Sequence, residues 1–336
     1  MNARAVPVTD VDAINAELYR VRRETPGCSE PSASAATVNL VVFVDDAAFR
    51  PWVRERAALV GAKHPSRVLI LDATRADGCA EVEALSADGP CPSQRVDLAI
   101  GGLEPAHVRS LVHSLTVAGV PTVFWWTSSR VLASPALSAI AELASTVVVD
   151  SSGSVAGATT IGELAAFLER ESGLVVRDLA YMRLLPWQDM IAQFFDDDAL
   201  FEDLFSIRTL EIDAGSDAEA LYIAGWLASR LSWVVTGPQS FRSRRGDAVA
   251  LKRRTVGQPR RVRRVALTSA DSTYSAELSD DDSVVCLSVA GAKQKPTRCA
   301  PLSSIDNASL IEKALLAGGR DQIFETSLRT VAALLR

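Results

Sequence analysis

Short apolar runs alternate with amphipathic stretches through the first half of the chain. The runs Val38–Val44, Val68–Leu71, Val123–Trp126 and Val147–Val149 are almost wholly apolar, which is typical of strands buried on both faces of a sheet. The stretches between them carry apolar residues at helical spacing. Because strands that alternate with helices form βαβ units, this pattern predicts a doubly wound, mostly parallel sheet with flanking helices.

Amphipathic stretches in this half predict helices, and the segments around them predict loops. The first helix is stopped by Thr25-Pro26-Gly27, and the small, polar residues up to Ala36 predict a linker. The segment between Leu71 and Arg95 is rich in glycine, proline and cysteine, and we expect a loop there. The predicted helices are 9–24, 47–62, 104–117, 134–145 and 160–171.

The pattern of the second half indicates antiparallel strands and helices. Residues 273–279 alternate between polar and apolar, and a three-residue acidic turn joins them to 283–289, which predicts a hairpin. Residues 206–213 predict another strand. Ser216 and Glu219 have the spacing of a capping box, which begins a helix that ends near Trp233. Helices over 187–196, 307–317 and 321–335 complete this half.

These patterns divide the chain into three parts. Residues 1–36 are predicted to be an N-terminal helix and linker, residues 37–176 a Rossmann-like α/β domain, and residues 177–336 a smaller α+β domain with antiparallel strands.

Composition favours a cytoplasmic globular protein. The 336 residues carry a net charge of −6, which gives no overall attraction to nucleic acid. Apolar runs reach about half of the ~20 residues that a membrane helix needs, and the N-terminus lacks the apolar core of a signal peptide. The five cysteines form no C-x-x-C pair and are expected to be reduced thiols. The basic run Lys252–Arg264 predicts a solvated hairpin or a contact for an acidic protein.

Polar residues follow several predicted strands, where open parallel sheets bind ligands. They are Asp45, Asp72, Ser128, Asp150 and Ser151. One interpretation is a small-molecule pocket of an enzyme or sensor. The interpretation that we favour is that these residues cap the helices that follow.

Motifs for catalysis and cofactors are missing from the sequence. It contains no G-x-G-x-x-G after the first strand, no phosphate-binding loop, no H-E-x-x-H and no G-x-S-x-G. We therefore expect neither catalytic nor cofactor-binding nor metal-binding residues, and no enzymatic activity. Arg67, which follows a helix and a proline, is expected to cap the carbonyl groups of the helix over 47–62.

Two segments combine tryptophan, arginine and apolar residues at helical spacing. They are Asp178–Asp196 and Leu221–Trp233, and neither contains a pair of groups suited to proton transfer. Most of these tryptophans are expected in the core. One or two could anchor a protein partner, because tryptophan and arginine concentrate binding energy at interfaces.

Six segments in one order resemble the glucose-6-phosphate dehydrogenase assembly protein (OpcA) family. They are 37–44, 64–71, 120–126, 145–152, 177–196 and 225–233. The resemblance implies a two-domain, non-catalytic partner of glucose-6-phosphate dehydrogenase that favours the active oligomer of that enzyme in the oxidative pentose phosphate pathway. This role is that of an allosteric activator and requires no cofactor.

The resemblance also implies which residues matter and where this chain departs. As partner-interface or scaffold residues it indicates Arg67, Trp125, Trp126, Asp150, Arg183, Pro186, Trp187, Trp226 and Trp233. The family pattern has aspartate, tryptophan and arginine where this chain has Gly119, Tyr181 and Gln188. These departures raise the alternative of a diverged paralogue with a different enzyme partner.

Overall fold

The computed structural model of this chain describes residues 4–24, 36–85, 93–128, 135–153, 157–171, 173–257, 261–302 and 307–336. Residues 29–35 of the predicted linker, Cys28 and Cys91 lie outside the described residues. The chain divides into two compact units. Unit 1 comprises Met1–Val149, Glu171–Arg177 and Asp306–Gly319, and unit 2 comprises Asp150–Arg170, Asp178–Ile305 and Arg320–Arg336. The predicted domain boundaries at residues 36 and 176 stay a prediction.

An eight-stranded sheet forms the centre of unit 1. Its strands are β1 (Arg4–Pro7), β2 (Val38–Val44), β3 (Ser66–Asp72), β4 (Cys79–Ala84), β5 (Gln94–Ala99), β6 (Thr122–Trp126), β7 (Thr146–Val149) and β8 (Val175–Asp178). Their order across the sheet is β1-β4-β5-β3-β2-β6-β7-β8, and the run from β5 to β7 is parallel. Every residue of β2, β6 and β7 is buried, as the apolar runs indicate. The predicted doubly wound, mostly parallel sheet is confirmed.

The prediction of a loop between Leu71 and Arg95 is wrong in part, because β4 lies within it. This strand pairs antiparallel with β5, and β1 pairs antiparallel with β4 at the edge of the sheet. Only Ala80 and Val82 of β4 are buried apolar residues. So short an alternation, next to glycine and proline, gives too weak a signal for a strand.

Most helices follow the predicted positions, with ends that shift by a few residues, but the short helices Leu179–Met182 and Asp198–Phe201 were not predicted. The helices are α1 (Val11–Glu24), α2 (Arg50–Lys63), α3 (Pro105–Leu115), α4 (Pro135–Ala141), α5 (Gly157–Arg170), α6 (Leu179–Met182), α7 (Leu185–Ala192), α8 (Asp198–Phe201), α9 (Asp217–Arg230), α10 (Asn307–Leu316) and α11 (Gln322–Leu334). Within unit 1, α10 contacts α2. Glu312 of α10 accepts a hydrogen bond from Lys63 Nζ at 2.7 Å, and its carboxylate lies 3.0 Å from His64 Nε2.

A second eight-stranded sheet forms unit 2. Its strands are β9 (Thr209–Ala214), β10 (Val234–Gly237), β11 (Ser240–Arg242), β12 (Ala248–Thr255), β13 (Val262–Thr268), β14 (Ser272–Leu278), β15 (Val284–Gly291) and β16 (Lys295–Pro301). Their order is β10-β11-β12-β9-β13-β14-β15-β16, and only the β12–β9 pair is parallel. The predicted hairpin is β14–β15, with Tyr274, Ala276 and Leu278 buried on one face. The predicted α+β class of this half is confirmed.

The predicted hairpin around the basic run Lys252–Arg264 is wrong. The strands that carry this run, β12 and β13, do not pair with each other, because β9 lies between them. The acidic residues Glu211 and Asp213 of β9 separate the two basic strands. Local alternation cannot reveal this, because the inserted strand comes about 40 residues earlier in the sequence.

Helices α9 and α11 pack closely within unit 2. A Cβ atom on Gly225 would lie 2.6 Å from Val331 Cγ2 and 2.7 Å from the Ser327 carbonyl oxygen, so only glycine fits this contact. The α9 helix begins after Ser216, where the capping box is predicted. The Ser216 hydroxyl, however, donates to the Glu219 carboxylate instead of accepting from the helix backbone.

The prediction that all cysteines are reduced thiols is wrong for one pair. Cys286 and Cys299 form a disulfide across the antiparallel strands β15 and β16. The two cysteines are directly opposite each other in the strand register, and sequence spacing does not show that pairing. Cys79 is a free, half-buried thiol.

Candidate functional site

A network of buried polar side chains lies in unit 2 at the start of α6. Its centre is Asp178, whose Oδ1 accepts hydrogen bonds from the backbone N–H groups of Ser151 (3.1 Å) and Ala180 (2.9 Å). The Tyr222 hydroxyl, from α9, donates to Asp178 Oδ2 at 2.6 Å. Asp178 is 1% exposed and Tyr222 is 0% exposed. One carboxylate therefore connects α6, α9 and the turn that holds Ser151.

Arg183 adds an ion-paired layer to these contacts. Its guanidinium donates to the Asp150 carboxylate and to Ser152 Oγ, the latter at 2.9 Å. Ser152 Oγ donates in turn to Asp150 Oδ1 at 2.6 Å. Glu219 Oε1 lies 3.7 Å from Arg183 Nη1. We call Asp150, Asp178, Arg183, Glu219 and Tyr222 the Asp178 network.

Burial governs protonation in the Asp178 network. Burial raises the pKa of Asp178, the charge of Asp150 raises it further, and the hydrogen bond from Tyr222 lowers it. Burial also raises the pKa of Glu219, against the lowering effects of Ser216 and Arg183. The pKa of Tyr222 is well above its ordinary value because the residue is buried and lies beside Asp178. Tyr222 therefore remains a hydrogen-bond donor at neutral pH.

The Asp178 network is suited to holding structure together. Each of its three carboxylates faces a donor or a cation of the same network, so charges that would be costly alone in the interior are compensated. Sequence analysis named Asp150 and Arg183 as candidate site residues, but it did not name Asp178, Glu219 or Tyr222 as such. Charged and hydroxyl groups within otherwise apolar helical segments were the available signal.

The tryptophans indicated by sequence lie mainly in the core. The exposed fractions are 2% for Trp125, 3% for Trp126, 3% for Trp187 and 6% for Trp233. Trp226, on α9, is half-buried and keeps some accessible surface. The four buried tryptophans therefore pack in the interior of their own units.

Arg67 and Pro186 have defined structural positions. Arg67 Nη1 donates to the carbonyl oxygen of Leu115 at 2.8 Å, and Nη2 donates to Gln94 Oε1 at 3.0 Å. Arg67 therefore caps α3, and the prediction that it caps the helix over 47–62 is wrong. Burial, with a smaller effect of the nearby Arg22, lowers the pKa of Arg67 to about 10. Pro186 is half-buried in the first turn of α7, as predicted.

The strand ends of unit 1 bring two of the predicted pocket residues together. Strand order reverses between β2 and β6, and such switch points are where doubly wound sheets bind ligands. The Ser128 hydroxyl, after β6, donates to the Asp45 carboxylate, after β2. Asp72, after β3, is 2% exposed and pairs with Arg50. These side chains hold each other and the adjoining turns.

The other two predicted pocket residues, Asp150 and Ser151, belong to unit 2. Asp150 pairs with Arg183, and the Ser151 backbone binds Asp178. Their contacts are those of the Asp178 network.

The described basic residues of the run Lys252–Arg264 are paired with acidic side chains of unit 2. Arg254 binds Asp213 through two hydrogen bonds of 2.7 Å. The other pairs are Lys252–Glu211, Arg253–Asp217, Arg261–Asp282, Arg263–Asp282 and Arg264–Glu211. Arg260 lies outside the described residues.

Neither a metal-binding cluster nor a membrane-spanning helix is found in the described part of the chain. Across the described ranges, no group of three or more histidine, cysteine, aspartate or glutamate residues could hold a metal ion. Among the helices of those ranges, none has both the length and the apolar composition needed to cross a bilayer.

Comparison with protein families gives two matches along the chain. The N-terminal domain of the glucose-6-phosphate dehydrogenase subunit matches residues 57–166, and the C-terminal domain of the same subunit matches residues 174–328. Together the two matches cover most of the chain.

Curated proteins that are similar to this chain include two of the same name. The chain is 24% identical over 265 residues to the “Putative OxPP cycle protein OpcA” of Nostoc punctiforme, which covers 70% of this chain and 54% of that protein. It is 25% identical over 256 residues to the protein of the same name in Synechococcus elongatus, covering 68% and 56%. The chain thus spans about half the length of these relatives.

Solved structures with a similar fold include an NAD binding oxidoreductase from Klebsiella pneumoniae. The TM-score is 0.50 at 10% identity, over 89% of this chain and 96% of that chain, so the likeness concerns the fold. The residues of this chain do not fit a dinucleotide bound in the usual way. After β2 it presents the carboxylates of Asp45 and Asp46 where a pyrophosphate would need backbone N–H groups. The carboxylate of Asp72, after β3, is already ion-paired with Arg50.

Proposed function

Because the chain belongs to the OpcA family, we propose that it is a non-catalytic assembly factor and allosteric activator of glucose-6-phosphate dehydrogenase. The observation that carries this proposal is the ordered match of both domains of a glucose-6-phosphate dehydrogenase subunit, over 57–166 and 174–328. The chain would act in the oxidative pentose phosphate pathway, in the cytoplasm, and without a cofactor of its own.

The proposed mechanism is a shift in a population. A protein that binds the active oligomer of the enzyme more tightly than its other states increases the fraction of active oligomer by mass action. A 100-fold preference corresponds to about 2.7 kcal/mol, which is enough to convert a minor state into the dominant one. This mechanism requires a stable docking surface and does not require reactive groups.

The interior of each unit supports a scaffold role for most of the residues that the resemblance indicates. Trp125, Trp126, Trp187 and Trp233 are in the core, and Arg183 is held by the Asp178 network. Such residues would keep the docking surface in shape without touching the enzyme. Trp226 and Pro186 keep accessible surface and are the candidates for direct contact.

An exposed aromatic cluster in unit 2 offers a further contact. Phe201 is 47% exposed, and its ring centroid lies 5.6 Å from that of Phe205. The Arg245 guanidinium lies 5.2 Å from the Phe205 ring centroid, over the ring. Aromatic rings together with arginine are the typical anchors of protein interfaces, so we assign this cluster to the docking surface.

The test uses the glucose-6-phosphate dehydrogenase of the same organism. The enzyme is purified alone and with a small molar excess of this chain, and its mass is measured by light scattering beside its activity. The expected result is a stable complex, a larger fraction of the active oligomer and higher activity. A micromolar mixture in which neither mass nor activity changes would refute the proposal.

Substitutions then separate docking from folding. Phe201→Ala and Arg245→Ala should weaken binding of the dehydrogenase by about 10-fold or more while the thermal unfolding of the chain stays unchanged. Leu316→Ala, at a residue that is 65% exposed in unit 1, is the matched control and should bind normally. Equal binding by all variants would remove the aromatic cluster from the docking surface.

A further inference from the structure

One face of the unit 2 sheet is open to solvent and carries small and charged side chains. Buried apolar residues such as Leu210, Val265 and Tyr274 occupy the opposite face. On the open face, strand register aligns Ala250, Thr209, Thr268, Thr273 and Ala290 in one row. A second row consists of Lys252, Glu211, Ala266, Ser275 and Ser288. We call this surface the open face.

A third row of the open face alternates in charge. It runs across β12, β9, β13 and β14 as Arg254, Asp213, Arg264 and Glu277. The order of charges is positive, negative, positive, negative. The two residues at the ends of this row are well exposed. The Arg254 side chain is 65% accessible, and Glu277 is also exposed.

This row is complementary to itself when it is reversed. Consider two copies of the chain whose open faces contact each other. They can be related by a two-fold axis that lies in the plane between the two faces, parallel to the strands and between β9 and β13. The axis places Arg254 of one copy opposite Glu277 of the other, and Asp213 opposite Arg264. In the second row, it places Lys252 opposite Ser275. The three rows then bring no like charges together, as an isologous contact between identical surfaces requires.

The size of the open face also suits a contact between two copies. Across this axis β9 faces β13, β12 faces β14, β11 faces β15 and β10 faces β16 of the other copy, with about 20 residues of overlap on each side of the axis. At ~4.8 Å between strands and ~3.4 Å per residue, this gives roughly 650 Å² of flat area per copy. Stable interfaces bury about 800 Å² of accessible surface per partner. Small side chains let two sheets approach to the ~10 Å spacing of stacked sheets.

We propose that a second copy of this chain stacks on the open face about this two-fold axis, so that the protein is a dimer. This inference goes beyond the proposed function, because it concerns self-association without the dehydrogenase. It specifies one pair of residues, Arg254 and Glu277, that must meet across the interface twice.

Charge reversal tests the pairing. Arg254→Glu and Glu277→Arg each place two like-charged pairs in the dimer, and each should lower the self-association constant by about 100-fold. When the two variants are mixed, every pair across the interface is again opposite in charge. The mixture should therefore recover a heterodimer that neither variant forms alone.

Sedimentation at micromolar concentration measures the outcome for the whole chain, and circular dichroism checks that each variant is folded. The wild type and the mixture should have twice the chain mass of 35.9 kDa, and each single variant should have the chain mass. Arg109→Glu, which reverses one side of the exposed Arg109–Glu142 pair in unit 1, is the control and should stay dimeric.

Ser275→Trp provides an independent test if a charge reversal disturbs folding. This change adds bulk in the second row and leaves the ion pairs intact, and it should also give a monomer. A monomeric wild type, variants that remain dimeric, or a mixture that does not associate would each overturn the proposal.

Discussion

Replacing Tyr222 by phenylalanine isolates one bond of the Asp178 network. The substitution removes only the hydroxyl that donates to Asp178 Oδ2 at 2.6 Å and keeps the buried ring. Hydrogen bonds to charged groups contribute about 1.5–3 kcal/mol, and the carboxylate is too deeply buried for water to replace the donor easily. We therefore expect Tyr222→Phe to lower the free energy of unfolding by about 1.5–3 kcal/mol near pH 8.

The cost of this substitution should depend on pH, because burial raises the pKa of Asp178 and the Tyr222 hydrogen bond lowers it. An aspartate with a raised pKa binds more protons in the folded state than in the unfolded state. Stability therefore falls as pH rises from the unfolded pKa, about 3.9, through the folded pKa. Without the Tyr222 hydroxyl the folded pKa of Asp178 rises further, so the pH range over which stability falls becomes wider. The loss should be complete only above the folded pKa of Asp178 in the variant and should shrink as the pH falls below that pKa.

Tyr181→Phe is the matched control. Tyr181 is 2% exposed, and its ring centroid lies 5.5 Å from that of Tyr222. Burial raises the pKa of its hydroxyl, and the neutral side chains of Gln188 and Ser327 lower it. This variant should lose only about 0.5–1.5 kcal/mol, with no added dependence on pH over the range in which Asp178 titrates.

Urea denaturation followed by tryptophan fluorescence, near pH 8 and near pH 5, compares the two variants. Thermal unfolding gives a second measure, at roughly 2–4 °C per kcal/mol for a unit of this size. Equal losses for Tyr222→Phe and Tyr181→Phe at both pH values would refute the assignment of Asp178 as a buried, hydrogen-bonded carboxylate.

Three further predictions concern the same unit. Arg183→Met leaves Asp150 and Glu219 without their cation and should cost about 3–5 kcal/mol in urea denaturation, and a loss below 1 kcal/mol would contradict the ion-paired layer. Gly225→Ala should destabilise by about 1–3 kcal/mol because α9 and α11 must separate, whereas Gly162→Ala, with its nearest contact at 3.9 Å, should be neutral or stabilising. Removing the disulfide with Cys286→Ser and Cys299→Ser should cost up to about 3 kcal/mol relative to the oxidised chain, and a reducing agent should lower the stability of the wild type alone.

Sequence predicted the elements with strong local signals. The apolar runs of β2, β3, β6 and β7 lie in the parallel centre, where burial on both faces demands such runs. The hairpin β14–β15 was predictable from strict alternation and an acidic turn. Each of these signals is contained in one short stretch of sequence.

Long-range pairing was beyond the reach of local patterns. Strand β9 enters between β12 and β13, and this converts a predicted solvated hairpin into rows of ion pairs. Cys286 and Cys299 meet only because β15 and β16 are in one register. Arg67 caps α3 because the sheet places β3 beside β5, which leads into that helix. These contacts follow from topology, and composition alone does not determine topology.

The residues that stand out in the sequence are mostly those that the units bury. Trp125, Trp126 and Trp187 stand out because large rings are informative about packing, and all three are in the core. The proposed contact between two copies of the chain has a different signature. On the open face, small residues and alternating charges look unremarkable along each strand, and their complementarity exists only across strands. The proposed self-association surface is therefore recognised only in the rows of the sheet, since sequence order separates Arg254 from the Glu277 that it is proposed to meet.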